Sequence, residues 1–124
     1  QIFNYGHSFG HAIESLTNYE VPHGIAVSCG MDMANIVSVK LGYLQCEIRQ
    51  EIRELLEQIW DGYVISNLSI EKFANALSKD KKNVGKELRL ILCKGYGKLF
   101  KTGIQLDRQF IGLLEEYFDK ELVH

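Results

Sequence analysis

Histidines are concentrated near the start of the chain, where three of the four lie between residues 7 and 23. His7 and His11 are four residues apart in a segment that predicts a helix, so their side chains share one helical face. Two imidazoles on adjacent turns can bind one divalent cation while each keeps its second ring nitrogen for another partner. Asn4, three residues before His7, is expected on the same face. A single histidine is more often a capping or core residue, but this grouping makes a metal site a hypothesis of equal weight.

His23 follows a turn over residues 18–22 that is long enough to reverse the chain. We therefore expect a second helix to return beside the first and to bring His23 towards the histidine pair. Gly6 and Gly10 lie four residues apart, and each costs a helix about 1 kcal/mol relative to alanine. Such a pair predicts the close approach of another backbone or of a ligand. The expected ion is zinc or another metal that favours imidazole, with a further ligand from outside this segment or from water.

A second polar motif is the run of residues 79–82, Lys-Asp-Lys-Lys. Its ordinary interpretation is a solvated helix end, where cations suit the carbonyl dipole. The functional alternative is a lysine turned inward as a compact charge that holds an anion. Taken alone, the run favours the ordinary interpretation.

Composition excludes several classes of function. The chain has 124 residues, a formal net charge of −2 and 46% hydrophobic residue types, which fits one soluble domain over residues 1–124. It has no broad cationic patch for nucleic acid, no apolar run of about 18 residues for a membrane, and no signal-peptide pattern. Three separated cysteines without a Cys-x-x-Cys pair favour a reduced, cytoplasmic setting. Because the chain begins at Gln1, we interpret it as the carboxyl-terminal part of a longer protein.

Hydrophobic periodicity predicts three helices in the first half of the chain. The first covers residues 4–17, and the second covers residues 24–41 and is apolar around most of its circumference, as buried helices are. Gly42 is placed to end the second helix as a left-handed cap. The third covers residues 45–59, and its predicted buried stripe is Ile48, Ile52, Leu55, Leu56 and Ile59.

The second half of the chain predicts two more helices around a hairpin. Ser69 suits the N-cap of a short helix, and Asp107 suits the N-cap of the last one. Between them, residues 88–93 and 98–104 read as strands joined by a glycine-containing turn. The predicted fold class is therefore mainly α-helical with one small antiparallel hairpin.

Three motifs together identify a family resemblance. NYGHSFGHAIE at residues 4–14, PHGIAVSCGM at 22–31 and DKK at 80–82 closely resemble the carboxyl-terminal domain of the 3-dehydroquinate synthase family of sugar-phosphate cyclases. The resemblance covers essentially the whole chain. It implies an enzyme of the shikimate pathway that converts a seven-carbon keto-sugar-acid phosphate (DAHP) to 3-dehydroquinate with release of phosphate. It also implies Zn²⁺ (or Co²⁺) and NAD⁺ as cofactors, with NAD⁺ bound mainly by an amino-terminal domain that this chain lacks.

The resemblance also implies roles for individual residues. His7 and His23 match the two histidine metal ligands of the family, while the third ligand, a glutamate, is expected outside this chain. His11 and Asn4 match residues that contact the substrate at its phosphate end, and His11 also counts as catalytic. Lys81 and Lys82 include one substrate-binding lysine, and the sequence does not choose between them. The implied partners are a sugar-phosphate substrate, the amino-terminal domain of the same enzyme and a second copy in a homodimer. The chain alone is expected to be inactive.

One departure and three alternatives accompany this interpretation. Ile25 stands where the family usually has a glutamate. The first alternative is a related cyclase, a 2-deoxy-scyllo-inosose or valiolone-type synthase, whose substrate lacks a carboxylate. The second is an iron-type alcohol or glycerol dehydrogenase, which the Gly-His-Ser-Phe-Gly-His string fits less well. The third is a non-catalytic helical module.

Overall fold

The computed structural model describes residues 6–65, 68–79 and 87–121, and these ranges contain five helices and a two-stranded antiparallel sheet. The elements in chain order are α1 (His7–Leu16), α2 (His23–Lys40), α3 (Cys46–Trp60), α4 (Ile70–Ser78), β1 (Glu87–Gly95), β2 (Lys98–Gln105) and α5 (Arg108–Lys120). The predicted fold class, mainly α-helical with one hairpin, is confirmed. Asn4, Lys81 and Lys82 lie outside the described residues.

The central element is α2, which packs against α1, α3, α5 and β1. Its all-round apolar sequence is explained by this position, since Ala26, Met33 and Val37 are buried. The helix ends where the sequence predicts, because Gly42 has a φ of +84°. No helix in the described part of the chain is long and apolar enough to cross a membrane.

The backbones of α1 and α2 cross in direct contact. A Cβ atom on Gly30 of α2 would collide with the carbonyl oxygen of Gly6 and lie 2.6 Å from the amide nitrogen of Gly10. The close approach predicted from the glycine pair is confirmed, and the neighbour is the backbone of α2. The predicted start of α1 at Asn4 is wrong, because Gly6 has a φ of +73° and a left-handed residue interrupts a right-handed helix.

The third helix forms where predicted, but of its predicted buried stripe only Leu56 is fully buried. Leu55 is 59% exposed and Ile59 is 53% exposed, and Ile48 and Ile52 are only partly buried. The face turned inward carries Arg49, Arg53 and Leu56, one residue further round the helix at the same i, i+4, i+7 spacing. Both arginines bind Asp32, which is fully buried on α2, so the pairing of charges decides the rotation of α3.

Local capping signals confirm the remaining helices. The Ser69 side chain accepts a hydrogen bond from the Lys72 amide at 3.3 Å, and the Asp107 side chain accepts one from the Phe110 amide at 3.0 Å. The hairpin turns at Gly97, which has a φ of +70°.

Aromatic rings join α1 to α4 and α5. The ring centroids of Phe9 and Phe73 are 6.2 Å apart, and Phe118 meets Phe73 edge-on at 5.0 Å. Because this cluster lies on the buried side of α1, the opposite side carries the polar residues of the candidate site.

Candidate metal and substrate site

One face of α1 carries three side chains that can take part in chemistry. His7, His11 and Glu14 occupy positions i, i+4 and i+7 of the helix. The His7 and His11 rings lie nearly parallel, with centroids 6.0 Å apart and planes 10° apart. His7 is partly buried and His11 is exposed. The shared face predicted for the two histidines is confirmed.

His23, the first residue of α2, meets this face through Glu14. Its Nδ1 lies 2.9 Å from Oε2 of Glu14. The Glu14 residue is 8% exposed, whereas the His23 side chain is 69% exposed. An ionised carboxylate only accepts hydrogen bonds, so Nδ1 then carries the hydrogen and the lone pair of Nε2 is left for another partner.

The antiparallel crossing of α1 and α2 explains why these residues meet. Gly10 touches Gly30 where the helices cross. Glu14 lies one turn beyond Gly10 on α1, and His23 lies seven residues before Gly30 on the same face of α2. The chain reverses between the helices through Asn18 and Tyr19, both with positive φ, as the turn predicted there requires.

The described residues contain no group of three or more His, Cys, Asp or Glu side chains that could hold a metal ion. The observed polar pairs are His7 with His11 and Glu14 with His23. Two imidazoles suit zinc or cobalt, which favour nitrogen ligands, and do not suit calcium or magnesium, which favour oxygen. His7 and His23 therefore fit two ligands of an incomplete set, and their assignment as ligands stays a prediction.

Two other positions from the sequence lie away from this face. Ile25 is partly buried and lines a small cavity with Cys29, Trp60 and Tyr117. Ile25 lies on the same face of α2 as Cys29, and the residues that cross α1 lie on another face. The side chain that departs from the family pattern therefore faces α3 and α5. Lys79 is exposed at the end of α4, as the interpretation of a solvated helix end predicts.

Basic side chains of the hairpin lie beside α1. Arg89 of β1 and Lys101 of β2 line an open groove together with Ser8 of α1 and Thr102. Arg89 also lies 4.0 Å from Glu87. Sequence reasoning missed these cations, because only the folded hairpin brings Arg89 and Lys101 to one groove with Ser8.

Sequence reasoning also missed Glu14. The sequence spacing could have predicted it, because Glu14 follows His7 by seven residues and therefore lies on the helical face that His7 and His11 define.

Residues 1–83 match the family model described as 3-dehydroquinate synthase C-terminal. The chain belongs to this 3-dehydroquinate synthase C-terminal family. The resemblance carried by the histidine and glycine motifs is thereby confirmed.

Relatives within the 3-dehydroquinate synthases extend the match over most of the chain. The enzyme of Helicobacter pylori is 42% identical over 116 residues, covering 92% of this chain and 34% of the relative. Those of Campylobacter jejuni and Dictyoglomus turgidum are each 35% identical, covering 94% and 93% of this chain and 33% and 32% of the relatives. The chain spans about a third of the length of the curated relatives that it matches.

Solved structures share the fold of this 3-dehydroquinate synthase C-terminal chain. A 2-deoxy-scyllo-inosose synthase in complex with carbaglucose-6-phosphate, NAD⁺ and Co²⁺ has a TM-score of 0.78 at 24% identity, covering 94% of this chain and 34% of that one. A second structure of a 2-deoxy-scyllo-inosose synthase has a TM-score of 0.75 at 23% identity, covering 93% of this chain and 32% of that one. At this level of identity the likeness shows the fold.

Proposed function

We propose that this chain is the metal- and substrate-binding domain of a 3-dehydroquinate synthase, over residues 1–124, and works with an NAD-binding amino-terminal domain of the same polypeptide. The full protein converts DAHP to 3-dehydroquinate and releases phosphate, as a cytoplasmic homodimer. The observation that carries the proposal is that, in a chain of this family, His7 and His11 share one face of α1 with Glu14, and Glu14 contacts His23 of α2.

His7 and His23 hold a divalent cation, Zn²⁺ or Co²⁺, together with a glutamate from the amino-terminal domain. When bound, the ion acts as a Lewis acid on the substrate oxygen at the carbon that exchanges a hydride with NAD⁺. Neutral imidazoles suit this role because they bind the metal at neutral pH without adding charge. The Co²⁺ and NAD⁺ in the 2-deoxy-scyllo-inosose synthase complex support this choice of cofactors.

His11 acts at the phosphate end of the substrate. It is exposed on the turn after His7, where a ring N–H can donate to a phosphate oxygen and orient the leaving group. Asn4 and one of Lys81 or Lys82 complete this anion site. The chain thereby supplies only part of the active site, so we expect the 124 residues alone to be inactive.

A related cyclase is the second candidate, because the solved structures that share the fold are 2-deoxy-scyllo-inosose synthases. The higher identity to 3-dehydroquinate synthases, 35–42% in the relatives above, favours DAHP as the substrate. The orientation of Ile25 towards α3 and α5 supports the same choice, since the unusual residue lies away from the histidine face.

The test is an assay of the full-length protein with NAD⁺ and Co²⁺. We expect phosphate release and formation of 3-dehydroquinate from DAHP, and no turnover of a sugar phosphate without a carboxylate. Turnover of the second substrate alone would assign the protein to a related cyclase. Lack of turnover with both would favour the non-catalytic helical module.

A further inference from the structure

We propose that Glu14 is a positioning residue that orients His23 and selects Nε2 as its metal-binding nitrogen. The inference rests on the proposed function, since it takes His23 as a metal ligand. It starts from the bond of 2.9 Å between Oε2 of Glu14 and Nδ1 of His23. Metal-binding histidines usually donate their second ring N–H to a carboxylate or carbonyl oxygen, which fixes the tautomer and the direction of the ring.

Burial of the two partners is unequal. The Glu14 side chain is 10% exposed and the His23 side chain is 69% exposed. Placing a carboxylate under a helix crossing removes most of its hydration, and an ion pair with an exposed imidazole returns little stability. The position of Glu14 is therefore poorly explained by folding, and it is well explained by the orientation of His23.

The crossing of α1 and α2 holds this carboxylate in place. Glu14 lies one turn from Gly10, where the backbones touch, so the Glu14 and His23 Cα atoms have little freedom to separate. On the same face of α1, His7 and His11 are stacked on each other, whereas the partner of Glu14 comes from α2. Glu14 thus links α1, the helix that carries His7, directly to His23 of α2.

Co²⁺ titration of the full-length protein tests the proposal. We expect Glu14→Ala to weaken Co²⁺ binding by about 10- to 100-fold, the usual effect of losing such a partner. Glu14→Gln should cause a smaller loss, because the amide oxygen can still accept from Nδ1. Glu20→Gln, which removes a negative charge from the exposed loop before His23, should bind Co²⁺ as the unchanged protein does.

The tautomer of His23 provides a readout that needs no metal. In ¹⁵N NMR spectra of the metal-free protein labelled at histidine, His23 should carry its hydrogen on Nδ1. Glu14→Ala should shift the population towards the Nε2–H form. Hydrogen on Nε2 in the unchanged protein would overturn the proposal, even if the alanine variant failed to fold.

Two further results separate the failure of this proposal from the failure of the proposed function. If Glu14→Gln lost as much Co²⁺ affinity as His23→Ala and also altered the Co²⁺ absorption spectrum, Glu14 would be a ligand itself, and the positioning role would be wrong. If His23→Ala bound Co²⁺ as tightly as the unchanged protein, His23 would not be a ligand, and the proposed function would fail together with this inference.

Discussion

Arg49 donates to both carboxylate oxygens of Asp32, from Nε at 3.0 Å and from Nη2 at 2.8 Å, and both side chains are buried. Arg53 and the Tyr117 hydroxyl donate to Oδ2 of the same carboxylate. Burial alone would lower the pKa of Arg49, but the hydrogen bond and charge of Asp32 raise it above its ordinary value. One carboxylate on α2 therefore joins α3 and α5 to the helix that carries His23.

Asp32→Asn tests this ion network. The substitution leaves the two buried guanidinium groups with Glu121, which is 29% exposed, as the only carboxylate among the described residues that pairs with both. Breaking a buried pair in this way costs about 3–5 kcal/mol. Urea unfolding should show a loss in the free energy of unfolding of that size. Glu57→Gln is the matched control, since Glu57 binds Arg53 from a side chain that is 46% exposed, and its loss should cost no more than about 1 kcal/mol. Equal effects of the two substitutions would contradict a central role for Asp32.

Gly30→Ala tests the helix crossing. The added methyl group would collide with the backbone of Gly6 and Gly10, which cannot yield as a flexible side chain can, so we expect a loss of about 1–3 kcal/mol or more in the free energy of unfolding. Gly112→Ala on α5 is the same substitution at a helical glycine with no neighbour within 4 Å, and it should stabilise the chain by about 0.5–1 kcal/mol. Effects of the same sign at both positions, measured by thermal or urea unfolding, would contradict the contact.

Stability should fall at alkaline pH because two buried acids resist ionisation. Burial raises the pKa of the Cys29 thiol from 9.0 to about 12, and burial and the nearby Cys29 raise the pKa of Tyr117 well above 10.0. Above pH 9 the unfolded chain loses these protons while the folded chain keeps them, so the unfolded state binds fewer protons and the free energy of unfolding decreases as pH rises.

Cys29→Ala isolates the contribution of the thiol to this pH dependence. Between pH 8 and pH 10, Cys29 should account for about 1.4 kcal/mol of the decrease, given its folded and unfolded pKa values. Urea unfolding at the two pH values should therefore show a smaller decrease in the variant than in the unchanged chain. If the free energy of unfolding decreased by the same amount in the variant and in the unchanged chain, the thiol would ionise as readily in the folded state as in the unfolded state.

Two adjacent leucines of α3 test its rotation. Leu56 is 5% exposed, so Leu56→Ala should lower the free energy of unfolding by about 2–5 kcal/mol. Leu55 is 59% exposed, and Leu55→Ala should change it by no more than about 0.5 kcal/mol. A larger loss from Leu55→Ala than from Leu56→Ala would contradict the observed rotation of α3.

The error on α3 shows where hydrophobic periodicity stops being informative. Its sequence holds two stripes with the same spacing, one apolar and one that carries Arg49 and Arg53, and periodicity alone selects the apolar one. The deciding residue, Asp32, lies on α2, distant from both arginines in sequence. In contrast, Ser69 and Asp107 were predicted as N-caps because their partners lie three residues away.

In the candidate site, too, the features with a local sequence signal were predictable, and those that depend on packing between distant segments were not. The face shared by His7 and His11 follows from a spacing of four within one helix, and the chain reversal before His23 follows from a local turn. The bond between Glu14 and His23 depends on how closely α1 and α2 cross. The glycines in the sequence predict a close crossing, but they do not predict which side chains come into contact there. The cations of the hairpin depend on packing between distant segments and have no local signal.

The most direct test of the proposed metal site is the Co²⁺ affinity of the full-length protein with His7, His11 and His23 replaced by alanine in turn. We expect His7→Ala and His23→Ala to lose Co²⁺ binding, because each removes one of the two histidine ligands of the proposed site. His11→Ala should keep Co²⁺ binding and lose catalysis, because the proposed role of His11 is at the phosphate end of the substrate. Loss of Co²⁺ binding on His11→Ala, or its retention on His7→Ala or His23→Ala, would contradict the assignment of the site.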